Sequence, residues 1–327
     1  MMNRIAFYCI FIFTIASTSL QAQTELQVLS FLKSISGKQI VMAQHNREPN
    51  AEPAKWTEQI KKTTGKYPAM WSGDFLFERE NIRDRWIMIH EAENQWKQGA
   101  MVQIMLHTCP PIHGEPCGWE GDNSILSSLT DAEWNELVTN GTALNKNWKI
   151  RLDSIAIYLQ YLQEKKVEVL FRPLHEMNQG KFWWGGRTGS DGTAKLYRIT
   201  HDYLTKEKGL HNLVWIWDVQ DLDFNWKEYN PGDAYWDILA LDVYDDATGY
   251  TDKKYQEILK LAGNKPIAIG ECQKLPSLET LAKQSRWTFV MPWAELVYQH
   301  NLNAHINELY KNKRCITLDQ MKGWKNN

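Results

Sequence analysis

Two glutamates sit where a folded core has no use for a charge. Glu176 closes the run Phe171-Arg172-Pro173-Leu174-His175, and Glu271 closes Pro266-Ile267-Ala268-Ile269-Gly270. Both runs read as buried strands, and Glu is almost never fully buried without a partner. Taken singly, either could be a surface carboxylate just past its strand, or a structural partner for Arg172. Taken together they point to chemistry. Cleaving a glycosidic bond needs one carboxylic acid to protonate the leaving oxygen and one carboxylate facing the anomeric carbon. The expected separation is about 5–5.5 Å, the retaining geometry, with a covalent glycosyl-enzyme intermediate. Carboxylates that close split their pKa values, so one is protonated while the other is charged.

The residues around Glu176 suit a sugar. Met177-Asn178-Gln179-Gly180-Lys181-Phe182-Trp183-Trp184-Gly185-Gly186 is a glycine-flanked loop rich in rings. Sugar C–H faces pack on indoles, while sugar hydroxyls need Asn, Asp and His partners. Trp183, Trp119 and Trp293 are candidate platforms, each weighed against ordinary loop packing. The chain holds 16 Trp, 13 Tyr and 10 Phe. A core rarely needs so many indoles, because each buried N–H wants a partner. Other chemistries lack an anchor. His45, His107, His113 and His175 show no i, i+4 zinc pairing, so no metal is expected. There is no Gly-rich phosphate loop and no Gly-x-Ser-x-Gly elbow, and no cofactor is expected. Lys+Arg number 37 against 39 Asp+Glu, which gives no electrostatic reason for a nucleic-acid partner.

A rhythm of short apolar runs and helical stretches positions these residues. Strand-like runs span Gln39–Gln44, Tyr67–Trp71, Met101–His107, Val167–Leu174, Leu213–Asp218, Ile238–Tyr244, Pro266–Glu271 and Thr288–Trp293. Helix-like segments include Trp86–Lys97, Asn147–Lys165, Ala194–Lys206, Lys254–Ala262 and Asn301–Asn312. Eight strands alternating with helices predict an α/β fold, a (β/α)8 TIM barrel in a single domain over 23–327. A doubly wound sheet would normally place a glycine-rich turn after the first strand, where this chain has His45-Asn46-Arg47-Glu48. In a barrel, the strand-end residues His45, Asp74, His107, Glu176, Asp218, Tyr244, Glu271 and Trp293 converge on one face.

Residues 1–22 read as a signal peptide: Arg4, an apolar run from Ile5 to Ile15, then small residues up to cleavage after Ala22. The expectation is a secreted or periplasmic monomer with no membrane-spanning segment in the mature chain. In an oxidising compartment Cys109 and Cys117 could staple the short loop CPPIHGEPC.

RPLHEMNQGKFWWGG, GEC after an apolar strand, LDVYDD, GKQIVMAQHN and KYPAMWSGD resemble glycoside hydrolase family 26, best known for β-1,4-mannanases. The resemblance covers essentially the whole mature chain. It implies that Glu176 is the acid/base and Glu271 the nucleophile of a retaining hydrolase of β-mannan polysaccharide or oligosaccharide. It further implies that His175 orients the reacting groups and that His107 contacts the sugar beside the scissile bond. Asp242 and Tyr244 match an Asp-x-Tyr pair whose tyrosine holds the nucleophile. Trp293 matches a platform beneath the reacting sugar, and Trp119 a loop tryptophan. Lys181 stands where many members carry an aromatic residue, so a platform there is missing or supplied by Phe182 or Trp183, unless the lysine donates to hydroxyls. The alternatives are a hydrolase of mixed-linkage β-glucan or xylan, a mannobiose-releasing exo-enzyme, and a non-catalytic carbohydrate-binding barrel.

Overall fold

Eight parallel strands close on themselves in the computed structural model, which describes residues 25–326 apart from 222–224 and 246–248. The expected signal peptide lies outside the described residues. The strands are β1 Ile40–His45, β2 Met70–Asp74, β3 Met101–Leu106, β4 Val169–Pro173, β5 Leu213–Gln220, β6 Ile238–Val243, β7 Ile267–Cys272 and β8 Trp287–Pro292. Each pairs with its neighbour in sequence, and β8 returns to β1. This is the (β/α)8 barrel. Every residue of these strands is buried, because helices cover the outside and side chains fill the inside.

The longest helix, Ala143–Glu164, shows why the covering elements form. Leu144, Trp148, Leu152, Ile155, Leu159 and Leu162 are buried at helical spacing, and the Thr142 side chain accepts from the Asn145 N–H as an N-cap. Such a cap contributes about 1 kcal/mol. The helices Lys55–Thr64 and Arg85–Gln98 both stop at a glycine in the left-handed region, Gly65 and Gly99. The expected helix Ala194–Lys206 is observed as Thr193–Asp202 continued by a π-turn over Tyr203–Glu207. Among the described residues, the element between β5 and β6 is a 3₁₀ turn, Trp226–Tyr229.

A ninth strand, β9 Cys315–Ile316, was not foreseen. It pairs with Ile40 and Val41 at the start of β1, whereas β2 pairs only from Ala43 onward. β8 already occupies the other edge of β1 at Val41. β9 therefore fills the gap where β1 and β2 splay apart at the foot of the barrel. Two residues carry no periodicity, so the sequence offers no signal for it.

Two features set up the opposite face. The β6–β7 and β7–β8 registers slip around Leu241/Asp242 and Ile267 to Cys272, which re-aims the residues of β7. Leu76, Leu174, Glu176 and Ala294 adopt left-handed backbone, all just beyond the ends of β2, β4 or β8. Such conformations cost of order 1–3 kcal/mol each for side chains of this kind and gather where function demands a geometry.

Candidate active site

Below the mouth of the barrel lies a polar plug. Arg172 on β4 is fully buried, and its guanidinium donates to Asp218 at 2.8 Å and to Asp242 at 2.7 and 2.9 Å. Its other terminal nitrogen donates to Glu271 Oε1. Three buried carboxylates from β5, β6 and β7 thus converge on one cation. The close packing depends on Gly270: a Cβ there would stand 2.6 Å from both Asp218 Oδ2 and Asp242 Oδ1.

Glu271 is held from above as well. The Tyr244 hydroxyl donates to Oε2 at 2.5 Å, and His175 Nε2 lies 4.0 Å from Oε1. Tyr244 is itself fixed by Asp221, a fully buried carboxylate that accepts from the Tyr244 N–H at 3.2 Å and pairs with Lys254 at 3.2 Å. Glu176 has a different setting. Its backbone N–H donates to Asp218 Oδ1 at 2.9 Å, but among the described residues its carboxylate receives only the Gln179 amide. Both glutamates line one cleft of about 550 Å³.

The electrostatics follow from these partners. Burial lifts the pKa of both glutamates. For Glu176 the charges of Glu271 and Asp218 add to the lift, carrying it well above the usual carboxylate range. For Glu271 the Arg172 charge and the Tyr244 hydrogen bond oppose it. The two lifts are therefore unequal, and Glu176 is pushed further up than Glu271. Burial also drives His175 well below its ordinary value, helped by the His107 and Arg172 charges, so it is neutral. Asp74, although buried, is pulled down to about 2 by the His107 ring, which it meets at 2.5 Å.

The walls are aromatic. Trp119 is 43% exposed and lies near-parallel to Phe77 at 6.1 Å, and Trp293 stacks on His45 at 4.1 Å. Phe182 faces His107 edge-on at 5.4 Å and is backed by Trp184 at 4.6 Å. The loop bearing Trp119 is tied down by a Cys109–Cys117 disulfide and by Glu115, which meets Arg85 at 3.4 Å and Arg151 at 3.3 Å. A cleft with paired, inequivalent carboxylates and stacking rings can protonate one oxygen and stabilise positive charge on an adjacent carbon.

A model of glycosyl hydrolase family 26 matches residues 18–320. The chain belongs to that family. Among curated proteins, a mannan endo-1,4-beta-mannosidase of Thermothelomyces thermophilus is 28% identical over 307 residues, 90% of this chain and 60% of its own length. The mannan endo-1,4-beta-mannosidase A and B of Caldalkalibacillus mannanilyticus is 31% identical over 266 residues, 76% of this chain and 50% of its own. The chain thus spans only half to three-fifths of the length of these relatives. Among solved structures, GH26A from Muricauda sp. MAR_2010_75 superposes with a TM-score of 0.85 at 34% identity, covering 90% of this chain and 95% of that one. The Podospora anserina GH26-CBM35 beta-(1,4)-mannanase gives 0.76 at 27% identity, covering 91% and 67%.

Within this family 26 barrel, Glu176, Glu271, His107, His175, Trp119, Lys181, Tyr244 and Trp293 all line the cleft. Two expected contact residues do not. Trp183 is buried, with its indole N–H donated to the Thr108 carbonyl at 2.7 Å and its ring against Trp148, so Phe182 presents the ring instead. Asp242 is fully buried beneath the floor, where Arg172 claims both its oxygens. Asp74 and Asp218, expected among the converging strand ends, and Arg172, expected as a possible carboxylate partner, prove to hold the site from below, whereas Gln179 was not foreseen. Arg172 and Gly270 carried a signal: a charge and a glycine inside otherwise apolar strands.

Proposed function

We propose that this chain is an exported retaining hydrolase of β-1,4-mannosidic linkages, acting as an endo-mannanase. The observation that carries the reading is the unequal footing of the two glutamates in one cleft. Glu271 is kept ionised by Arg172 and Tyr244, and it attacks the anomeric carbon. Glu176 keeps its proton at working pH through burial and the neighbouring negative charges, and it donates that proton to the departing oxygen. Once the leaving sugar has gone, Glu176 takes a proton from water, which releases the sugar from Glu271 with net retention.

The remaining lining residues take supporting parts. His107, aligned by Asp74, contacts the reacting sugar, and Trp293 packs against its C–H face. Neutral His175, 4.0 Å from Glu271 Oε1, orients the reacting groups without competing for the charge of Glu271. Membership of family 26 and the likeness to proteins named as mannan endo-1,4-beta-mannosidases support mannan as the substrate. The disulfide in the β3 loop supports export, since such bonds persist in oxidising compartments.

The test is digestion of β-1,4-mannohexaose followed by ¹H NMR. The expected first products are β-anomers from internal cleavage, which mutarotate later. First products in the α form, or release from lichenan or xylan with mannan untouched, would overturn the assignment.

A further inference from the structure

Two basic side chains, Arg47 and Lys181, line the cleft, and they stand in opposite circumstances. Arg47 is matched twice, by Glu48 and by Glu295. Lys181 is matched by nothing: among the described residues no carboxylate lies in ion-pair range of its ammonium and no acceptor takes its hydrogen bonds. Its nitrogen instead lies 5.5 Å from the ring centroid of Trp119 and 5.6 Å from that of Phe182. Both rings line the same cleft. Contacts of this type hold an exposed cation by about 0.5–1 kcal/mol, and they leave its N–H donors facing the open space.

Position then gives the cation a task. Under the mechanism proposed above, Glu176 protonates the departing oxygen, so the loop that continues from Glu176 borders the departing sugar. Lys181 sits on that loop, and its charge reaches Glu176, drawing its pKa down against the larger upward push of burial. A neutral pyranose seated beside Lys181 strips water from an ammonium and returns only hydroxyl acceptors. An anionic group returns a full opposite charge and a hydrogen bond roughly twice as strong.

We infer that Lys181 makes the departing-sugar side of the cleft selective for glycan chains bearing an anionic group, a carboxylate or a sulfate ester, on the first sugar released. The inference rests on the hydrolase reading and deepens it. The departing sugar becomes the non-reducing end of its product, so the selectivity is written into the product ends.

The experiment uses β-1,4-mannan sparsely oxidised at C6, a second preparation sparsely sulfated at C6, and neutral mannan. Products are sequenced by mass spectrometry. Wild type is expected to enrich charged sugars at new non-reducing ends about fivefold over their random frequency, a size that fits one charge-assisted contact at an exposed site. Lys181→Gln removes the enrichment, Lys181→Arg keeps it, and the loss of kcat/KM in Lys181→Gln is larger on the charged chains than on neutral mannan. Enrichment in the oxidised arm alone assigns a carboxylate, in the sulfated arm alone a sulfate, and in both the charge itself. Neutral mannan cut normally, with charged sugars spread evenly or depleted, overturns this inference alone. So does an equal loss by Lys181→Gln on neutral and charged chains. Failure to cut any of the three overturns the hydrolase reading and this inference with it.

Discussion

The surroundings of Glu271 and of Glu176 are built to opposite plans. Glu271 lies within a strand, clasped below by a buried guanidinium and above by a tyrosine hydroxyl. Glu176 lies beyond a strand end, in left-handed backbone, with one amide on its carboxylate. One setting fixes a charge in place, and the other makes a charge costly. That division matches what a nucleophile and a proton donor respectively require. Rigid clamping belongs on the residue that must stay ionised. Desolvation with little hydrogen bonding belongs on the one that must hold its proton and then surrender it.

The largest effect that can break the comparison comes from removing each glutamate in turn. Glu271→Ala is expected to lower kcat on mannohexaose and on a dinitrophenyl mannobioside alike, by at least about 10³-fold, because bond formation to the sugar is lost whatever departs. Glu176→Ala is expected to cost about 10²–10⁴-fold on mannohexaose, the usual worth of a general acid, and much less in releasing dinitrophenolate, which leaves without a proton. Burst kinetics on the aryl substrate check the contrast. Equal losses for both variants on both substrates would mean that the two carboxylates do not divide the work as described.

The second test moves from chemistry to stability. Arg172→Met leaves Asp218, Asp242 and Glu271 buried without their common cation, and breaking such a cluster costs about 3–5 kcal/mol. Gln179→Ala removes a half-exposed amide from Glu176 and is expected to cost no more than about 1 kcal/mol. Urea denaturation of the two variants separates them. If both lose the same amount, the clamp under Glu271 is no stiffer than the contact on Glu176.

Much of this contrast was legible in the sequence, and its blind spots have physical causes. The eight strands showed because a strand covered on both faces is a continuous apolar run, so errors fell only at strand ends: β2 begins at Met70 rather than Tyr67. The two glutamates showed because each interrupts such a run. Asp242 carries the same mark, but pattern gives no depth along the barrel axis. Only the guanidinium of Arg172, drawing it down with Asp218, explains why it lies under the floor and not on it. Among Phe182, Trp183 and Trp184 the choice of the ring that lines the cleft was invisible, since an irregular loop has no period. It was decided by two indole N–H groups that found the Thr108 and His175 carbonyls.

The smallest effect sharpens the comparison most. Tyr244→Phe deletes the hydrogen bond to Glu271 while leaving the ring in place. That bond favours the ionised form of Glu271, so its loss raises the pKa of Glu271 and shrinks the ionised fraction on the acidic side. The acidic limb of the pH profile of kcat/KM is therefore expected to move upward by about 0.5–1 unit, with a loss of about tenfold at the optimum, the size of one hydrogen bond to a charged group. The alkaline limb belongs to Glu176, whose proton is held by burial and by neighbouring negative charge rather than by the phenol, and it should stay where it is. A shift confined to the alkaline limb would reverse the assignment of acid and nucleophile. A parallel shift of both would show that the two glutamates titrate as one unit, and that the separate plans of their surroundings do not translate into separate protons.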